Sequence, residues 1–128
     1  MKISIIITAF NVEKYIGECI LSVLRANYPD MEIIVINDGS TDQTGLIIDS
    51  FKTLQCPVTI IHTENRGQSV VRNTGVYCST DDYIIFLDGD DKLHPDSLCR
   101  LSEILKNKLV DIIFFESEVF FDDDSLAA

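Results

Sequence analysis

The chain is poor in basic residues, and this shortage limits what it can bind. Its 128 residues include 10 Lys and Arg against 21 Asp and Glu, which gives a formal net charge of −11 at pH 7. Such a surface repels nucleic-acid phosphates, whereas binding to them depends on basic side chains that release counterions. We therefore expect no nucleic acid among its partners.

Long apolar runs and paired cysteines are also missing. No segment approaches the ~20 apolar residues that a membrane-spanning helix needs. The apolar start at residues 1–10 is short and strand-like, without a small-residue cleavage site. The four cysteines form no Cys-x-x-Cys pair, which disfavours a zinc or redox motif. These absences predict a cytoplasmic protein, and they are compatible with a peripheral position at the cytoplasmic face of the membrane.

Two phosphate-binding motifs are absent as well. The turn after the first predicted strand reads TAFNVEKY and has no glycine before Gly17, so the GxGxxG fingerprint of a dinucleotide-binding fold is missing. The GKS or GKT sequence of a P-loop does not occur either. Thr8, Ala9 and Phe10 stand where a phosphoacceptor receiver domain usually has an acidic pair. Three common classes of α/β protein are thereby disfavoured.

What the chain does contain is a regular alternation of strand-like and helix-like segments, which is typical of a parallel sheet covered by helices. Its length and 46% hydrophobic content suit one globular domain over residues 1–128. Strands are predicted at Lys2–Thr8, Met31–Asn37, Val58–Thr63, Asp82–Asp88 and Val110–Phe115. Helices are predicted at about Val12–Ala26, Leu46–Leu54, Ser69–Cys78 and Pro95–Lys106, with Asn11 capping the first and Ser40 or Thr41 the second.

An acidic turn follows the apolar strand that ends at Asp88. Asp88 and Asp90 are two residues apart and share a face in extended chain, and Gly89 lets the backbone approach a ligand closely. Hard cations are held by one or two carboxylates while substrate phosphates fill the other positions. Ligands of open α/β sheets gather at the carboxyl ends of strands. The pattern predicts a metal site, and the alternative is a plain acidic turn before the next helix.

The charge balance supports the metal interpretation. Two like unit charges ~4 Å apart repel by about 4 kcal/mol at an effective dielectric of about 20. A diphosphate that faces Asp88 and Asp90 would therefore need a bridging cation, Mn²⁺ or Mg²⁺.

Two further positions are candidates for ligand contacts. Asp38, at the end of the second strand, could accept a hydrogen bond from a ribose hydroxyl or a base N–H, or could simply form an Asx-turn in DGSTD. Gly67 opens the helix that carries Arg72, so a loop backbone and a guanidinium lie close to a possible anion site. The alternative for Arg72 is a pairing with one of the surplus acids. Asp42 is interpreted as a first-turn helix residue.

The chain resembles the family-2 glycosyltransferases with the GT-A fold through four segments in this order: IIITAFNVEKYI, VINDGSTD, NRGQSVVRNTG and FLDGDD. The resemblance covers nearly the whole chain. It implies an α/β, Rossmann-like, GT-A-type and mostly parallel sheet with helices on both faces, truncated before the acceptor half. In that family, the turn after strand one and the Asp after strand two hold the nucleotide, usually uridine. The DxD motif holds the ribose and a metal-bound diphosphate.

Carried over to this sequence, the resemblance implies a set of donor-binding residues. Those around the base, ribose and nucleotide are Thr8, Ala9, Phe10, Glu13, Asp38, Gly67, Arg72, Asp88 and Gly89. Asp88 and Asp90 would hold Mn²⁺ or Mg²⁺, with Asp90 as the first choice, whereas Asp91 is assigned a supporting or capping role. Thr8 and Val71 depart from the Pro and Ala that the family often has, which affects fine geometry but not class.

The implied activity is transfer of a sugar, with inversion, from a nucleotide diphosphate donor such as a UDP-sugar to a hydroxyl of a saccharide or lipid-linked acceptor in polysaccharide biosynthesis. The catalytic base is expected beyond Ala128, in the second half of such enzymes. Two alternatives remain open. One is a nucleotide-sugar-binding domain without transfer activity as this fragment, and the other is a metal-dependent nucleotidyltransferase. A sheet that ends soon after strand five would also leave an unpaired edge, which predicts self-association.

Overall fold

The computed structural model describes residues 2–54, 58–79 and 83–107. Within these ranges four strands form one all-parallel sheet in the order β3-β2-β1-β4. The strands are β1 (Ile3–Ala9), β2 (Met31–Asp38), β3 (Val58–Thr63) and β4 (Tyr83–Asp88). The helices are α1 (Ile16–Arg25), α2 (Thr44–Ser50), which continues as a 3₁₀ turn at Phe51–Leu54, α3 (Gln68–Cys78) and α4 (Ser97–Asn107). This arrangement confirms the predicted α/β class.

The two central strands are apolar on both sides because helices cover both faces of the sheet. The larger core lies under α1, α2 and α4, where alternate residues of β1 and β2 meet the buried stripes of these helices. Its fully buried members include Ile5, Ile16, Ile20, Ile33 and Leu98. Since β1 is buried on both faces, its sequence reads as a nearly continuous apolar run rather than an alternating one.

Among the described helices, α3 is the one that contributes a buried residue to the core on the second face of the sheet. Val71 of this helix lies on Ile6, Ile34 and Ile36. Gly75, one turn further along α3, sits so close to β1 that a Cβ atom there would lie 2.5 Å from Ile6 Cγ2. The glycine therefore lets the helix backbone approach the sheet.

Replacing Gly75 with alanine is expected to lower the free energy of unfolding by about 1–3 kcal/mol, the usual cost of overpacking a core. Urea denaturation would measure the change. Gly17 of α1 provides the matched control, because a Cβ atom there meets only Ile47 Cγ2, at an ordinary 3.7 Å. Gly17→Ala should be neutral or stabilising by up to roughly 1 kcal/mol. Equal losses in the two variants would show that the contact with Ile6 is not the cause.

Helix starts are where the structure departs most from the sequence prediction. Helix α1 begins at Ile16 rather than near Val12, and Asn11 does not cap it but adopts a left-handed backbone with φ of 48°. Helix α2 begins at Thr44 with Gln43 at its N-cap, so neither Ser40 nor Thr41 caps it. The three predicted caps are bonded between the two loops instead, since the Asn11 N–H donates to Ser40 Oγ and the Thr41 N–H donates to Asn11 Oδ1.

The predicted β3 boundaries are confirmed, and those of β1, β2 and β4 are correct to within one residue. The fifth strand predicted at Val110–Phe115, and the self-association that depends on the sheet edge beyond it, lie outside the described residues. Within the described ranges, every helix is too short or too polar to cross a membrane.

Candidate functional site

A cleft of about 390 Å³ opens at the carboxyl ends of β1, β2 and β4. The strand register brings these ends together, since Thr8 pairs with Asp88 and Ala9 with Asn37. Residues that line the cleft are Thr8, Ala9, Phe10, Val12, Asp38, Asn65, Gly67, Gln68, Val71, Asp88, Gly89 and Asp90. Eight of the ten site residues predicted from the sequence are among them, and the other two, Glu13 and Arg72, are not.

The acidic turn after β4 gathers three carboxylates. The Asp91 N–H donates to the Asp88 carbonyl oxygen at 2.9 Å, which closes the turn. One oxygen from each of Asp88, Asp90 and Asp91 lies within 4.8 Å of the others. Partial burial, and then the negative charges of Asp90 and Asp88, raise the pKa of Asp91 above its ordinary value. A set of hard oxygen ligands under mutual repulsion fits Mg²⁺ or Mn²⁺, and Asp91 belongs to this set alongside the two predicted acids.

Gly89 is required by a close approach between β4 and β1. Its N–H donates to the Thr8 carbonyl oxygen at 2.8 Å. A Cβ atom at this position would lie 2.9 Å from Val12 Cγ2 and 3.0 Å from the Thr8 oxygen. The glycine thus fixes the acidic turn against the end of β1, and the close approach to a ligand that the sequence suggested stays a prediction.

Asp88 is held by donors on one side of its carboxylate. Gln68 Nε2 donates to Asp88 Oδ1 at 3.1 Å, and Thr8 Oγ1 approaches the same oxygen at 3.5 Å. Arg72 Nη2 lies 3.5 Å from it, while the guanidinium sits over the Phe86 ring at 5.7 Å. Arg72 therefore pairs with an acid of the cleft itself, and its contact with the nucleotide stays a prediction.

Cys19 lies directly behind the acidic turn, with its Sγ 3.5 Å from the Asp88 carbonyl oxygen. Burial, followed by the charges of Asp91, Asp90 and Asp88, raises the pKa of this thiol to about 12. Since the thiolate is the nucleophilic form, Cys19 serves as a packing residue here.

Asp38 is buried, with 6% of its surface exposed, and its carboxylate is tied to the loop before α3. Oδ1 accepts from Thr63 Oγ1 at 2.8 Å and from the Arg66 N–H at 2.7 Å, and Oδ2 accepts from the Gly67 N–H at 3.0 Å. Burial raises the pKa of Asp38, but these hydrogen bonds outweigh it and hold the pKa below its ordinary value. The carboxylate is therefore charged at neutral pH and positions the first turn of α3.

The hydrogen bond from Gly67 to Asp38 occupies the backbone N–H that the sequence analysis placed beside a possible anion site. The residue lines the cleft as expected, but its N–H is directed at Asp38, so the anion at the start of α3 is a side chain of the protein. The Asx-turn alternative for Asp38 does not describe its bonds either, because all three donors lie 25 or more residues away.

Glu13 takes part in a contact between two loops beside the cleft. Its carboxylate accepts from the Gln43 N–H at 2.9 Å, and its own N–H donates to Asp42 Oδ2 at 3.3 Å. Asn11 Oδ1 accepts from the Thr41 N–H at 2.8 Å in the same way. These reciprocal bonds join the turn before α1 to the turn before α2, so Glu13 supports the cleft wall from outside.

Four cleft residues were not predicted: Val12, Asn65, Gln68 and Val71. All lie inside the segments that carried the sequence argument, within two residues of a predicted site residue. Asn65 has a left-handed backbone with φ of 52°, and its backbone N would lie 2.6 Å from a Cβ atom at Gly39. An asparagine followed closely by glycine signals such a conformation, but it does not reveal which distant turn the residue meets.

Residues 4–127 match the sequence model of the family described as Glycosyl transferase family 2. Among curated proteins, the uncharacterized glycosyltransferase EpsJ of Bacillus subtilis is 40% identical over 87% of this chain, which spans 32% of that protein. Chondroitin synthase of Pasteurella multocida is 36% identical over 98% of this chain and 13% of its own length.

Among solved structures, that of S. aureus TarS residues 1–349 in complex with UDP-GlcNAc is similar, with a TM-score of 0.76 and 27% identity. The match covers 84% of this chain and 32% of that one. The present chain therefore spans about a third of the length of EpsJ and of the TarS chain, and a smaller share of chondroitin synthase.

Proposed function

The chain belongs to glycosyltransferase family 2, and from this premise we propose that residues 1–128 form the nucleotide-sugar-binding domain of an enzyme that transfers a sugar from a UDP-sugar to an acceptor hydroxyl. The observation that carries the proposal is a single cleft with a buried, charged Asp38 on one wall and the acidic turn at Asp88 and Asp90 on the other. The UDP-GlcNAc complex of TarS supports the donor class. The chondroitin synthase supports a saccharide acceptor, and a lipid-linked one remains part of the proposal.

The nucleoside would occupy the part of the cleft between Ala9, Phe10 and Asp38. A carboxylate has about four lone-pair sites, and Asp38 uses three of them within the protein. The remaining site can accept the N3–H of uracil. Cytosine has an acceptor at N3 and would face the carboxylate with a lone pair, so this wall favours uridine over cytidine.

The diphosphate would then lie at the acidic turn, where Asp88 and Asp90 would hold Mn²⁺ or Mg²⁺ with Asp91 beside them. When bound, the cation neutralises charge on the departing diphosphate. The bond from the anomeric carbon to the diphosphate oxygen breaks as the acceptor oxygen attacks from the opposite face, which inverts the anomeric centre. The acceptor proton passes to a general base, and we assign this role to none of the cleft residues.

Calorimetric titration of the 128-residue chain with a nucleotide panel in Mn²⁺ tests this proposal. We expect UDP and UDP-sugars to bind at least tenfold more tightly than CDP, because one well-placed hydrogen bond to a charged group contributes about 1.5–3 kcal/mol. Equal affinity for UDP and CDP would contradict the proposed hydrogen bond between uracil and Asp38. Incubation with UTP and a sugar 1-phosphate adds a second readout, since formation of a UDP-sugar with release of inorganic diphosphate would identify a nucleotidyltransferase.

A further inference from the structure

The first turn of α3 contacts both acidic walls of the cleft. At one end, Asp38 of β2 accepts the N–H of Gly67, the residue directly before the helix. At the other end, Gln68, the first residue of the helix, donates through Nε2 to Asp88 of β4. One short segment thus connects Asp38, on the wall proposed for the nucleoside, to Asp88, on the wall proposed for the metal.

The donors around Asp88 are distributed unevenly. Gln68, Thr8 and Arg72 all approach Oδ1, and within the described part of the chain no recorded donor reaches Oδ2. An oxygen that already accepts hydrogen bonds has less capacity for a cation than its partner on the same carboxylate. Oδ2 is therefore the oxygen available to a metal, and the donors on Oδ1 determine where Oδ2 points.

Gln68 is the donor with the best geometry. Its 3.1 Å contact is within the normal hydrogen-bond range, whereas the other two approaches are 3.5 Å and weak. The amide orientation follows from charge, because the opposite assignment would turn the Gln68 carbonyl oxygen towards a carboxylate oxygen. The exposed pair between Arg72 and Asp88 contributes little on its own.

We propose that Gln68 is a positioning residue that orients the Asp88 carboxylate towards the cation. This inference rests on the proposed metal-dependent function. It assigns to Gln68 the role that outer hydrogen-bond partners of metal ligands have elsewhere, where their loss costs about 10–100-fold in metal affinity. Asp38 supports the arrangement indirectly, since it fixes the backbone from which Gln68 extends.

The test is a titration of the 128-residue chain with Mn²⁺ alone, in which electron paramagnetic resonance measures the concentration of the free ion. Gln68→Met keeps the side-chain length but removes the donor, and Gln68→Asn keeps the amide but withdraws it by one methylene. We expect both variants to bind Mn²⁺ about tenfold more weakly than the parent. Their affinity for uridine in EDTA should not change.

Gln43→Met is the matched control, because Gln43 is also an exposed glutamine at the start of a helix but lies at α2, away from the acidic turn. It should bind Mn²⁺ as the parent does. Parent-like Mn²⁺ affinity in both Gln68 variants would overturn the positioning role and leave the proposed function intact. If the parent itself binds no Mn²⁺, the metal-dependent function fails and this inference fails with it.

Discussion

Asp90→Asn is expected to abolish the dependence of UDP binding on Mn²⁺. In the parent chain, UDP should bind at least about tenfold more tightly in Mn²⁺ than in EDTA, because each unscreened contact between a phosphate and a carboxylate costs up to about 4 kcal/mol. The variant loses the proposed metal ligand and one negative charge, so its weaker affinity should be nearly the same with and without the ion. Calorimetry in the two buffers measures both effects.

Asp96→Asn is a suitable control for this experiment. Asp96 is an exposed acid in the turn before α4. Its substitution removes the same charge without changing the acidic turn. It should keep the full difference between Mn²⁺ and EDTA. Asp42 is less suitable, since its carboxylate accepts the N–H groups of Glu13 and Thr44 and holds two loops together. A parent chain that binds UDP equally in both buffers would contradict the metal assignment.

Asp38→Asn is expected to lower the free energy of unfolding by about 1.5–3 kcal/mol, the range for hydrogen bonds to a charged group. Both carboxylate oxygens accept hydrogen bonds, so the amide nitrogen of asparagine must face a donor in either orientation. Thr63→Val removes only one of the three donors and should cost about 1 kcal/mol. Urea denaturation of the two variants gives the comparison, and equal losses would contradict the central role of Asp38.

A second substitution at this position, Asp38→Ala, is expected to affect ligand binding and the pH dependence of stability. Asp38→Ala should weaken the binding of UDP and of uridine by the same amount, about 1.5–3 kcal/mol, while the response to Mn²⁺ persists.

Because the folded chain lowers the pKa of Asp38, the stability that this group contributes is fully present above the unfolded pKa of about 4 and is lost as the pH falls through the folded value. The stability difference between parent and Asp38→Ala should therefore narrow below about pH 4.

The strands and the acidic turn could be predicted from the sequence because their signals are local. Strands β1 and β2 lie in the middle of the sheet, so burial on both faces produces the apolar runs that identify them. The turn at Asp88 and Asp90 concentrates its chemistry within a few consecutive residues. Patterns of this kind do not depend on which distant segment lies opposite.

The contacts of Asn11, Asp38 and Arg72 could not be predicted because each depends on a partner far along the chain. Asn11 looks like a helix cap locally, but it accepts from the Thr41 N–H 30 residues away and adopts a left-handed conformation. Asp38 looks like a turn residue, yet its donors belong to the end of β3 and to the loop before α3. Local propensity gives the element, whereas the order of strands in the sheet decides which loops meet.

The strand order also predicts that the two walls of the cleft form at different stages of folding. Strands β1, β2 and β3 are neighbours both in sequence and in the sheet, so the surroundings of Asp38 can assemble by closing short loops. Strand β4 must return to the other side of β1, and the contact between Thr8 and Asp88 spans 80 residues. Closure of so long a loop is slow relative to local pairing. We therefore expect the wall with the acidic turn to be completed last, and a cation bound there to retard unfolding more than it accelerates folding.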